Sequence, residues 1–153
     1  MRTLVRIGYA ARRRLLAWSR WPTRGVKVAA FDREGRLLLV RHGYGRSDLW
    51  MLPGGGVGRR EDPEDAARRE LMEEVGCRVG ALTLVAEYRS AAEGKRDRLW
   101  LFRGVTDDLA EPDGREVIEA RFFPLDAPPP EASPATRRRA AELRGERPPG
   151  GAW

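Results

Sequence analysis

Glu70, Glu73 and Glu74 stand at i, i+3 and i+4, a spacing that puts three carboxylates on one face of a helix. Like charges so placed cost roughly 0.2–0.5 kcal/mol per pair in an isolated helix, so a segment that keeps them together implies a cation to neutralise them. Hard oxygen donors on a rigid helix suit Mg²⁺, with Mn²⁺ as the alternative, because both prefer carboxylates, water and phosphate oxygens. Upstream lies Gly54-Gly55-Gly56, where the main chain can approach an ion or a phosphate closely. The chemistry indicated is that of a metal–phosphate site.

The elements that must position these groups are legible around them. Asp62 is a helix N-cap, Pro63 takes the first helical position, and Glu64 and Asp65 fill the first turn,. The helix runs to about Val75 and stops at Gly76,. Before it, Val26–Phe31 and Arg36–Arg41 read as strands of a hairpin turning at Asp32-Arg33-Glu34-Gly35,. After it, Leu82–Ser90, Arg98–Val105 and Val117–Phe123 read as strands. Ser133-Pro134 opens a last helix through about Leu143, with Arg137 to Arg139 on its exposed side. Strands on both sides of a central helix predict an α/β fold.

The spacing from Gly55 through Glu61, Arg69-Glu70-Leu71, Glu73-Glu74 and Gly76 to Cys77 resembles the Nudix box, G-x5-E-x7-R-E-U-x-E-E-x-G-U, where U is a bulky aliphatic residue. Cys77 is the one departure, a small apolar side chain in the last packing slot. The resemblance extends less strictly over residues 25 to 127. It implies a Nudix-type α/β/α sandwich with a mixed central sheet. It also implies a divalent-metal-dependent hydrolase that cleaves a diphosphate linkage in a nucleoside diphosphate derivative (nucleotide, dinucleotide or nucleotide sugar). A non-catalytic nucleotide-sensing module of the same fold is the alternative.

Within that resemblance, Glu70, Glu73, Glu74 and the Gly54 carbonyl are the expected metal ligands. Arg69 is expected to hold Glu61 bidentately and fix the loop. The proton acceptor is left among Glu73, Glu74 and Glu116, with Glu119 competing with Glu116 as the late acid. Arg41, Tyr44 and Trp50 flank the loop before the glycines and could grip phosphate and stack a base, while His42 reads as incidental. Arg89 and Trp100 sit on strands that could line the pocket, their faces left open. The markers of ADP-ribose, diadenosine polyphosphate and NADH hydrolases are absent downstream of the box, which leans towards a small nucleotide.

The net charge of +6 is uneven. Residues 1–24 hold seven arginines and no acid, whereas 25–130 carry −3. A small-molecule substrate is expected and an extended nucleic-acid surface is not. In residues 1–24, Leu4, Ile7, Gly8, Ala11, Leu15 and Trp18 form one arc, with Arg2, Arg6, Arg13 and Arg20 opposite,. That pattern predicts an amphipathic helix that docks on the domain or a second subunit, as in a homodimer, or lies peripherally on an anionic membrane, with a largely disordered segment as the third reading. The hydrolase domain is read as 25–145, and 146–153 as a flexible Pro/Gly tail. A lone cysteine fits a reducing compartment and a cytoplasmic location.

Overall fold

A computed structural model describes residues 24–90 and 97–153. The amphipathic segment expected over residues 1–24 lies outside the described residues except for Arg24, which opens the first strand instead. In chain order the elements are β1 (Arg24–Phe31), β2 (Leu37–His42), β3 (Gly54–Gly56), α1 (Pro63–Val75), β4 (Thr83–Ser90), β5 (Asp97–Val105), β6 (Val117–Phe123), α2 (Pro134–Leu143) and β7 (Gly151–Ala152). One mixed sheet runs β6-β2-β1-β5-β4-β7, and β3 also pairs with β1. β1 and β5 are parallel, whereas β1–β2, β2–β6 and β4–β5 are antiparallel.

Strand alternation divides the core into two layers. Val26, Val28, Ala30, Leu38 and Val40 pack with Ala66, Ala67, Leu71, Val75 and Cys77 of the α1 segment. Ala29, Phe31, Leu37 and Leu39 point the other way and join Trp50, Leu52, Tyr88 and Leu101, with Leu143 of α2 packed against them. The result is the α/β/α sandwich. Asp62 caps α1 by accepting the Glu64 N–H at 2.8 Å. Gly76 ends it in the left-handed region (φ 68°) and donates to the Met72 carbonyl at 3.0 Å, a conformation costly for residues with a Cβ.

Two expectations for the C-terminal region are corrected. The final residues form β7, parallel to β4, and Trp153 packs edge-on against Tyr88 with ring centroids 5.2 Å apart. Arg139, expected on the exposed side of α2, is 1% exposed. Its guanidinium lies 4.2 Å from the Tyr88 ring centroid and 5.0 Å from that of Trp153, and donates to Glu142 at 2.9 Å. Glu142 in turn accepts the Tyr88 hydroxyl at 2.6 Å. A buried cation here is balanced by a buried carboxylate and two aromatic faces.

Candidate active site

Gly54 and Gly55 set the strand against which the helix carboxylates rest. They pair with Lys27 and Val26 of β1. At Gly54 (φ 146°) a Cβ would overlap the Val26 carbonyl oxygen, and at Gly55 it would overlap the Glu70 carboxylate. Only glycines let α1 and β1 come this close. The Gly54 N–H donates to Glu74 Oε2 at 2.9 Å. Glu70 and Glu74 are both buried, at 1% and 2% exposure, while the Glu73 side chain is 43% exposed. The wheel position of each glutamate on α1 decides this, since Glu70 and Glu74 are one helical turn apart.

Arg69 ties the cluster together. Its Nε and Nη2 grip the two oxygens of Glu61 at 2.7 and 3.0 Å. Nη1 reaches Glu70 at 2.9 Å and Glu73 at 3.3 Å, and Nη2 also donates to the Gly56 carbonyl at 2.9 Å. Glu61 accepts the Gly58 N–H at 2.8 Å, which locks the loop between β3 and α1. Pairing with Glu61, then the field of Glu70, pushes the Arg69 pKa further up, so the guanidinium stays charged,.

Three carboxylates, those of Glu61, Glu70 and Glu73, therefore contact one guanidinium, and Glu74 sits beside them on the Gly54 N–H. Among the described residues no three of them already converge as a metal cage; Glu70 and Glu73 are turned towards Arg69 instead. The donor set still fits a hard divalent cation. All its side-chain donors are carboxylate oxygens, two of them buried beside glycine backbone, and the negative charge exceeds what Arg69 supplies,.

The loop that carries Glu116 is fastened to the end of α1. Asp113 N–H donates to the Glu74 carbonyl at 3.0 Å, and Glu111 N–H to that of Val75 at 2.9 Å. Asp113 Oδ1 then accepts the N–H groups of Arg115, Glu116 and Val117. Glu119 goes elsewhere. A register shift between Arg41 and His42 leaves it opposite Arg41, with Nη1 3.4 Å from its Oε2.

Arg41 also donates to the Ser47 carbonyl at 3.0 Å, and Tyr44 is 53% exposed beside the buried His42 ring. Trp50 is corrected. It is 5% exposed and meets Phe123 edge-on at 5.0 Å, so it packs the second core and offers no open face to a base. Lys27 went unread in the sequence. It interrupts the apolar β1 run opposite Gly54 and donates to the Leu52 carbonyl at 3.1 Å. A lone lysine between Val26 and Val28 was the available signal.

The chain belongs to the NUDIX domain family, whose model matches residues 21–143. It is similar to an RNA pyrophosphohydrolase of Acidiphilium cryptum, 32% identical over 137 residues that cover 73% of this chain and 81% of the relative. An RNA pyrophosphohydrolase of Bartonella bacilliformis is 47% identical over 73 residues, covering 43% of this chain and 42% of the relative. The match thus spans less than half of that second relative's length. Among solved structures, a MutT NUDIX hydrolase from Burkholderia pseudomallei aligns with a TM-score of 0.69 and 27% identity, covering 80% of this chain and 98% of that one. Among the described residues no helix is long and apolar enough to cross a membrane.

Proposed function

We propose that this protein is a divalent-metal-dependent pyrophosphohydrolase that cleaves a diphosphate linkage in a nucleoside diphosphate derivative. The observation that carries this reading is the burial of Glu70 and Glu74 against the Gly54-Gly55 backbone, with Arg69 joining Glu70 to Glu61 and Glu73. Family membership and the names of its relatives support it.

Glu70, Glu73, Glu74 and the Gly54 carbonyl would hold Mg²⁺ or Mn²⁺. When bound, the ion supplies Lewis acidity towards phosphate oxygens and makes water more acidic. The chain's own contribution is placement and charge. Arg69 holds the loop and the helix at a fixed separation, which keeps the carboxylates preorganised. Water attacks phosphorus, the bridging P–O bond breaks, and the proton passes to Glu73, Glu74 or Glu116. In this reading Arg41 and Tyr44 are assigned to the nucleotide, which the exposure of Tyr44 supports; Trp50 only backs Arg41, whose guanidinium is 5.8 Å from its ring centroid.

The test is turnover. The full chain is assayed against nucleoside triphosphates, dinucleoside polyphosphates and nucleotide sugars with Mg²⁺ or Mn²⁺, with the released nucleotides and phosphorylated products separated by anion-exchange chromatography. Metal-dependent release from at least one class is expected. Release from none, or release unaffected by EDTA, refutes the proposal.

A further inference from the structure

β6 ends one side of the sheet, and among the described residues no strand pairs with its outer edge. Its neighbour β2 decides which backbone groups that edge presents. The Val40 N–H and carbonyl exchange hydrogen bonds with Met51, at 2.8 and 2.9 Å, and the Arg36 carbonyl accepts from the Asp32 N–H at 3.1 Å. These groups face away from β6, so Leu37, Leu39 and Arg41, which alternate with them, face it. Their register partners are Phe123, Arg121 and Glu119, whose N–H and C=O groups are taken up inside the sheet. Ala120 and Phe122, between them, turn theirs outward.

The side chains along this edge form a self-complementary series, Ile118-Glu119-Ala120-Arg121-Phe122. An acid and a base lie on either side of Ala120, and an apolar residue lies beyond each. Ile118 is 43% exposed, and Ala120 and Phe122 are half-buried against the α1-side core. Glu119 and Arg121 share the opposite face. There Arg41 Nη1 lies 3.4 Å from Glu119, and the Arg121 guanidinium stands 5.9 Å from the Trp50 ring centroid. Arg121 is exposed and has no ion pair among the described residues.

We propose that the β6 edge is a docking surface for a second copy of this chain, the two strands joining antiparallel about a two-fold axis at Ala120. Outward groups must meet outward groups, so Ala120 pairs with the partner's Ala120 and Phe122 with the partner's Ile118. Glu119 then stands directly opposite the partner's Arg121, twice by symmetry. Those are the non-hydrogen-bonded positions, where facing side chains come closest. Each Glu119 completes a row that runs from Arg41 through Glu119 to the partner's Arg121. Sliding the partner by two residues is the smallest step that keeps outward groups facing each other. It sets Glu119 against the partner's Glu119, or Arg121 against the partner's Arg121. Charge selects one register and rejects its neighbours. The bulge opposite Arg41 and His42 bounds the paired stretch at one end, and Pro124 bounds it at the other,. Dimerisation of this kind is independent of the reaction at the glutamate cluster.

The experiment is sedimentation velocity on the full chain at rising concentration, up to about 10⁻⁴ M, because a small strand-edge interface belongs to the weak class of contact. A reversible monomer–dimer equilibrium is expected. Glu119→Arg and Arg121→Glu each set like charges opposite one another at both symmetric pairs, and each should weaken self-association about tenfold or more. Mixing the two variants restores both acid–base pairs, so a heterodimer is expected with an affinity near the wild-type value. Ala120→Pro removes an outward N–H that β2 does not use, a change an edge strand tolerates. It should give a monomer whose circular dichroism matches wild type. A wild-type chain that stays monomeric throughout overturns the proposal. So does a dimer unchanged by both charge reversals, which would put the contact elsewhere on the chain, residues 1–23 included. Folded variants that fail to associate when mixed overturn the Ala120-centred register.

Discussion

Gly55→Ala tests whether the closeness of α1 to β3 is what organises the site. Gly55 does not have a positive φ, so alanine fits the backbone and the perturbation is confined to its methyl group. That methyl would sit 2.5 Å from Glu70 Oε1, where ordinary contact starts at 3.4 Å. The carboxylate must retreat by about 0.9 Å, or the helix must lift with it. Misplacements of this size cost on the order of 10²-fold in rate. The displaced group also takes part in the Arg69 network, so Glu61 and Glu73 shift with it. The expected outcome is a kcat about 100-fold lower at saturating substrate and a higher Mg²⁺ requirement. The melting temperature should fall as well, because the methyl overpacks a site where the Glu70 carboxylate is buried,, so activity is compared where both proteins are folded. The assay is steady-state phosphate release across a Mg²⁺ titration, with thermal melts of both proteins. A folded variant with kcat within threefold of wild type would show that the glycine cradle does not set the carboxylate geometry.

Further outcomes follow from the same contacts. Glu74→Gln keeps the shape and an acceptor for Gly54 N–H but loses the charge, and should lower kcat by two or more orders of magnitude without unfolding the protein; near-normal turnover in a folded variant would remove Glu74 from the metal set. Arg139→Met leaves the buried Glu142 with only the Tyr88 hydroxyl and the more distant Arg147, at 4.0 Å, and should destabilise the fold by about 3 kcal/mol,, read by urea denaturation, whereas a loss below 1 kcal/mol would mean the pair is dispensable. Burial pushes the Cys77 thiol up from its ordinary pKa, so it should resist a thiol reagent at neutral pH until the protein unfolds, and rapid native labelling would contradict its place in the core.

Some of this was open to reading in the sequence. Asp62, Pro63 and Gly76 marked the ends of α1, and each acts through local chemistry with its own backbone neighbours. The glutamate spacing likewise needed only helical geometry. What could not be read depended on distant partners. Trp50 looked like a stacking residue because it precedes the glycines, but Phe123, from the far end of the chain, buries it. Arg139 looked like solvated charge because its helix is arginine-rich. Its partners Tyr88 and Trp153 come from an interior strand and the chain's last residue, and the Pro/Gly segment before Trp153 gave no hint of pairing. β3 itself, three glycines without periodicity, has no side-chain signal at all.

The same distinction explains how the site holds its shape. The carboxylates of Glu70, Glu73 and Glu74 come from one rigid helix, but their relation to the loop is set by one residue of that helix, Arg69, reaching back to Glu61 and Gly56. A lysine there could not bind both oxygens of Glu61 and a main-chain carbonyl together, because it lacks the planar fork. Arg69 also competes with any cation for Glu70 and Glu73. Turning those oxygens towards an ion would weaken part of the Arg69 network while leaving the bidentate bond to Glu61 in place. Loop geometry and ion binding thereby draw on separate donors of one guanidinium, which lets the loop stay fixed while the carboxylates change partner.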